Sequence, residues 1–259
     1  MKKIVIALTA VAAFAGPALA ADMAAKAPMR AAPVAYAPSW TGCYIAGGGG
    51  YGMYNNEGPQ ITTATGVPFT VPITQGGRGY LATGQVGCDY QFGGNWVIGA
   101  FADADWTNIR GEHTGVGNNV GLNHDTQTLN WSWAAGGRIG YLITPNLLTY
   151  FSAGYTEAQL SGANYLSFAG ALLGVHTDKQ RYQGYFVGAG DEYALNFLPG
   201  LFWKTEYRFA DYGTKDVLNL ANGTNVPTGV SERNHLYTHT IRSELVYRFN
   251  WGGPVAAKY

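Results

Sequence analysis

Past its first twenty residues the chain has no apolar run of the roughly 18 residues that a membrane-spanning helix needs. The nearest approach, Tyr165 to Val175, is interrupted by Ser167 and Gly170. Charge is scarce too: Asp, Glu, Lys and Arg make up 12% of the residues, less than the surface of a soluble secreted domain usually carries. Acids and bases number 16 each, so no cationic excess points to nucleic acid. Two cysteines, Cys43 and Cys88, are too few for a fold stapled by disulfides. What remains is a chain that builds its core from the fold itself, either as a soluble secreted domain or from strands.

What is abundant favours strands. There are 37 glycines, 18 tyrosines, 11 phenylalanines and 7 tryptophans. Aromatics suit a pleated surface, and so many glycines imply turns or closely packed backbone. The first residues read as a secretory signal: Lys2 and Lys3, an apolar run from Ile4 to Phe14, a Gly16-Pro17 break, then Ala18-Leu19-Ala20 with cleavage after Ala20. Residues 21–39, spaced by Pro28, Pro33 and Pro38, read as an extended periplasmic leader.

From Trp40 onward the apolar residues recur with period two, the mark of a strand whose faces meet different surroundings. In Thr240 to Phe249, Ile241, Ser243, Leu245, Tyr247 and Phe249 share one face, and Thr240, Arg242, Glu244, Val246 and Arg248 the other. Seven more segments repeat the pattern, starting near Trp40, Tyr80, Trp96, Leu129, Leu147, Tyr185 and Leu201. Leu129 is placed with Trp131 and Trp133 on an outward face. Connections near Gly93, Pro145 and Pro199 are short, whereas those over 53–78, 108–127, 159–181 and 212–235 are roughly twenty residues or more. Alternating short turns and long loops are the mark of an outer-membrane barrel with its long loops outside. The expected fold is therefore all-β, an eight-stranded antiparallel up-and-down transmembrane β-barrel over 40–249, followed by a tail over 250–259. Trp40, Tyr90, Trp96, Trp106, Tyr141, Trp203, Tyr247 and Phe249 would form aromatic girdles.

The stretch Trp40-Thr41-Gly42 followed by Tyr44, the block CDYQFGGNWVIGAFAD, the turn GYLITPNLLTYFSAGY, the string GAGDEYAL and the ending VYRFNWGGPVAAKY resemble the eight-stranded outer-membrane surface-antigen β-barrels of alphaproteobacteria. The resemblance runs from the signal to Tyr259 and is weakest in the long loops. It implies an abundant, porin-like, immunogenic structural protein and supplies no catalytic residues, cofactor or metal. Two departures stand out. The family usually carries aromatics where Cys43 and Cys88 stand. Asp191 also falls on the lipid-facing row, which is tolerable near the periplasmic edge because a charge costs far less there than at mid-membrane.

The inward charges Asp103, Asp105, Arg138, Glu192, Lys204, Glu206, Arg208, Arg242, Glu244 and Arg248 form the main constellation. They could line an ion path, or a carboxylate pair could do acid/base work. An eight-stranded barrel, however, is only wide enough to be filled by side chains, which favours an interlocked polar plug. His113, His124, His176, His235 and His239 lie in or beside the long loops. His124-Asp125 or His176-x-Asp178 would suit a rim dyad or a haem or metal ligand, but neither spacing is specific. Cys43 and Cys88 fall on one face of neighbouring strands, so a cross-strand disulfide is expected, with two unpaired thiols as the alternative. The apolar run in 159–181 either contacts lipopolysaccharide or another partner, or extends its hairpin. Leu245, Tyr247 and Phe249 resemble the C-terminal signal read by the barrel-assembly machinery, set ten residues before the end of the chain. Read as a whole, the sequence describes a monomeric, non-enzymatic barrel that supports the outer membrane and contacts its lipid and lipopolysaccharide. A narrow porin, or a haem-binding or adhesive role through the loops, are the alternatives.

Overall fold

The computed structural model describes residues 38–115, 123–166, 171–195 and 197–249, with backbone alone at 112–115 and 123–125. Ala20, nearly all of the leader and the tail after Phe249 lie outside the described residues.

Among the described residues there are eleven strands: β1 (Gly42–Gly58), β2 (Gln60–Thr62), β3 (Ile73–Phe92), β4 (Trp96–Gly115), β5 (Asn123–Thr144), β6 (Leu147–Leu160), β7 (Ala163–Leu166), β8 (Leu172–Thr177), β9 (Gln180–Ala194), β10 (Leu201–Ala221) and β11 (Pro227–Phe249). The eight long ones pair antiparallel in the order β1-β3-β4-β5-β6-β9-β10-β11, and β11 pairs back onto β1, which closes the barrel. Closure leaves the long strands without the free edge that lipid would penalise. The short β2 adds to β11, and the β7–β8 hairpin adds to the end of β10, all at the long-loop end.

Register sets the girth. From Trp96 on β4 the paired positions pass through Tyr141, Thr149, Asp191, Thr205, Ser243, Gly49 and Ala82 and come back to β4 at Trp106, ten residues further along. With strands about 4.8 Å apart and about 3.4 Å per residue, that stagger tilts the strands by about 40° and gives a backbone cylinder about 8 Å in radius. Side chains from opposite walls therefore meet in the middle.

The outward rows carry Ile45, Val86, Ile98, Ile139, Phe151, Val187 and Leu245, all exposed. Aromatics ring both ends of this apolar band. Trp96 stacks edge-on with Tyr141 at 5.2 Å by the short turns, and Tyr51 with Tyr80 at 5.3 Å by the long loops. Asp191 also points outward, where the Thr149 hydroxyl donates to it at 2.6 Å.

Three expectations are corrected. Trp40 is not a girdle residue. It precedes β1, is wholly buried, lies 4.8 Å from the Phe202 ring, and donates from Nε1 to the Pro145 carbonyl at 3.1 Å. Leu129 faces inward, because a bulge between Leu129 and Trp131 shifts the alternation by one residue. Finally, much of the expected long loops is paired strand: β1 runs on to Gly58 before β3 begins at Ile73, and β10 runs to Ala221 before β11 begins at Pro227. Backbone groups still need partners beyond the lipid, and extended hairpins supply them. The apolar run in 159–181 likewise includes the β7–β8 hairpin.

Candidate functional site: a charged lumen

Period two sends the odd residues of β3 and β4, and the even residues of β6, β9 and the lower parts of β5, β10 and β11, into the lumen. Six carboxylates (Asp89, Asp103, Asp105, Glu192, Glu206, Glu244) thereby meet five cations (Arg138, Lys204, Arg208, Arg242, Arg248), all of them buried. Burying a charge costs several kcal/mol unless it is paired and hydrogen-bonded, so the geometry of pairing decides whether this interior is stable.

Two tiers satisfy it. In the tier nearer the short turns, arginines and acids alternate around a square. Arg138 donates to Asp89 through Nε at 2.9 Å and again through Nη2, and to Glu192 through Nη1 at 3.0 Å. Arg248 donates to Glu192 from Nε at 3.0 Å and Nη2 at 2.6 Å, and to Asp89 from Nη1 at 2.6 Å. The Tyr44 ring sits against both guanidinium groups, at 4.8 and 5.0 Å. Tyr44 fits there because Gly87 faces it; a Cβ at Gly87 would meet the Tyr44 Cζ at 2.6 Å.

In the second tier Arg242 is the hub. Its Nη1 reaches Asp103 at 3.3 Å and Asp105 at 3.1 Å, and its Nη2 donates to Glu206 at 2.7 Å. Arg208 grips Asp103 with both terminal nitrogens, at 3.0 and 2.8 Å, and donates to Glu206 through Nε at 3.0 Å. Lys204 Nζ lies 2.7 Å from Glu244, but neither Glu244 oxygen accepts a hydrogen bond, so that contact is coulombic. Gln85 and Tyr150 link the tiers. Gln85 accepts from Tyr44 at 3.2 Å and from Lys204 at 2.5 Å, and donates to Asp103 at 3.2 Å. Tyr150 donates to Glu206 at 2.9 Å.

Apolar layers bound the network. Trp40, Val97, Leu142, Leu148, Phe202 and Val246 form a floor by the short turns, and Tyr54, Ile109, Leu129, Leu160, Tyr182 and Leu236 a ceiling towards the long loops.

All ten lumen charges expected from the sequence join these tiers. Asp89 does not figure among the expected charges, although it lies on the same inward row as Gln85. Gln85, Tyr44 and Tyr150 carry no charge and give no comparable signal. On the outer wall Cys43 and Cys88 are register partners in β1 and β3, joined by a disulfide across a Cα separation of 3.9 Å. Leu245, Tyr247 and Phe249 point outward at the end of β11. His176 Nδ1 contacts Asn222 at 2.7 Å, His235 contacts Asp211 at 2.9 Å, and His239 contacts the Tyr207 hydroxyl at 2.7 Å. His176 Nε2 lies 3.9 Å from Asp178. The side chains of His113, His124 and Asp125 lie outside the described residues. Beyond the apolar band, two hydrogen bonds from Arg233, at 2.8 and 2.9 Å, hold the Asp216 carboxyl below the usual carboxylate range.

Among known proteins, the 31 kDa outer-membrane immunogenic protein of Brucella melitensis is 28% identical over 255 residues, covering 96% of this chain and 100% of that protein. The 22 kDa outer membrane protein of Rhizobium leguminosarum bv. viciae is 29% identical over 187 residues, 71% of this chain and 70% of its own length. No family model matches. Among solved structures, the outer membrane protein OprG from Pseudomonas aeruginosa superposes with a TM-score of 0.53 at 12% identity, over 83% of this chain and 100% of that one, a likeness of fold.

Proposed function

We propose that this chain, an outer-membrane β-barrel protein related to the small immunogenic outer-membrane proteins of Brucella and Rhizobium, is a sealed structural barrel. It stiffens the outer membrane and presents its extended hairpins at the surface. One observation carries this reading. The lumen is crossed by two interlocked ionic tiers between two apolar layers, with Arg242 and Glu192 wholly out of solvent contact.

The same geometry argues against catalysis in the lumen. A general base needs a carboxylate that is free to take a proton and that a substrate can reach. Asp89, Asp103, Glu192 and Glu206 each accept from one or more guanidinium groups, and Glu244, which accepts none, lies 2.7 Å from Lys204 out of solvent contact. Lipid and lipopolysaccharide would be the partners of the outer wall, with the barrel-assembly machinery as a transient one, and the barrel itself monomeric.

Planar-bilayer recording on purified, refolded protein tests the seal. We expect no steady unitary conductance. A large, reproducible open level from pure protein would overturn the reading in favour of a narrow porin. Lipase, acyltransferase and protease assays on the same preparation should give no turnover above buffer.

A further inference from the structure

Charge on the outer wall is rare, and its placement is informative. Of the eight described arginines, Arg138, Arg181, Arg208, Arg233, Arg242 and Arg248 each lie within 4.0 Å of an acid. Arg78 and Arg110 are both exposed, and among the described residues neither has an acidic or hydrogen-bonding partner. They are also register partners, directly opposite each other on β3 and β4. Like charges in that position destabilise a sheet unless a counter-ion sits between them.

Their height on the barrel is set by the girdle. Arg78 lies two residues beyond Tyr80 on the outward row of β3, about 7 Å along the strand, and Arg110 lies four beyond Trp106 on β4. Both are therefore just past the apolar band at the long-loop end, the depth of a lipid headgroup. The two residues border an open groove of about 920 Å³, whose walls also include Met53, Tyr54, Ile73 and Thr74. The nearest outward acid on β1, Glu57, accepts from the Thr74 hydroxyl at 3.3 Å.

We propose that Arg78 and Arg110 form a binding site for the phosphorylated headgroup of an outer-leaflet glycolipid, whose acyl chains would lie along Tyr51 and Tyr80 below. Two guanidinium groups across a strand pair present donors to one phosphate from two sides, the geometry that arginine serves best. The inference rests on the reading of the long-loop end as the outer-leaflet side of an outer-membrane barrel.

The test uses full-length refolded protein in zwitterionic detergent, incubated either with bis-phosphorylated lipid A or with the same lipid stripped of its phosphates. Bound lipid is counted by mass spectrometry after gel filtration. Wild type should retain the phosphorylated lipid. Arg78→Gln or Arg110→Gln should weaken apparent affinity about tenfold each, while Arg233→Gln, an exposed arginine elsewhere, leaves it unchanged. Equal retention of stripped lipid, or full retention by the double Gln variant, would overturn the site. So would displacement by inorganic phosphate at a concentration equal to that of the lipid, which would mark a site for free anion. Heat-modifiable gel mobility checks that each variant is folded. A conducting barrel that still shows arginine-dependent retention would defeat the sealed-lumen reading and leave this one standing; a silent barrel without such retention would do the reverse.

Discussion

At the scale of single residues, Arg242 shows how the lumen resolves its own cost. A guanidinium this deep is tolerable because Asp103, Asp105 and Glu206 converge on it, and Arg208 shares two of the three. Removing one partner strands the others, so Arg242→Met should destabilise the refolded barrel by about 3–5 kcal/mol in urea titration. Glu206→Gln should cost less, since the amide still accepts one hydrogen bond. The double variant should cost clearly less than the sum of the two, by about 1–3 kcal/mol, because the residues share one network. Strict additivity would mean that the two do not act together. The sequence makes Arg242 legible as an inward charge, but not as a hub, because two of its partners lie 139 and 137 residues away on β4 and the third 36 residues away on the neighbouring β10.

At the scale of elements, β1 and β3 are the pair with an additional covalent tie. β1 is glycine-rich, and its outward row offers little beyond Ile45, Tyr51 and Met53 to specify register. Weakly specified strands slip. The Cys43–Cys88 bond joins positions 45 residues apart in the chain, and closing a loop of that length is worth about 4 kcal/mol against the unfolded state in the chain-entropy account. The Cys43→Ser, Cys88→Ser double variant should therefore unfold at lower urea concentration and refold more slowly, as followed by heat-modifiable gel mobility. An unchanged midpoint would show that the bond stabilises nothing. Sequence alternation is enough to read the long elements, since period two is local. It fails at Leu129 because a bulge is a property of two strands compared, and at Trp40 because nothing local says that the chain enters through the floor of the lumen.

At the scale of the whole molecule, β11 closes the ring by pairing with both β10 and β1, and the outward row of β11 is the proposed assembly signal. Tyr247 and Phe249 meet edge-on at 5.2 Å on its outward row, beside Leu245. Deleting residues 250–259 should leave insertion intact, whereas Phe249→Ala should lower the folded, heat-modifiable fraction several-fold in outer-membrane preparations. The opposite result would move the assembly signal into the tail.

The sequence by itself determined that this is a strand-built barrel, which residues face lipid along most of the long strands, and ten of the eleven charges that face inward. It could do so because a chain whose two faces meet different solvents must repeat that difference every second residue. The tertiary structure decided the rest: a ten-residue stagger, the meeting of Arg138 and Arg248 around Asp89 and Glu192, the floor built on Trp40, and the placing of Arg78 directly opposite Arg110 on the outer wall. Each of these depends on register accumulated around a closed ring, and register is a relation between strands that no single stretch of sequence contains.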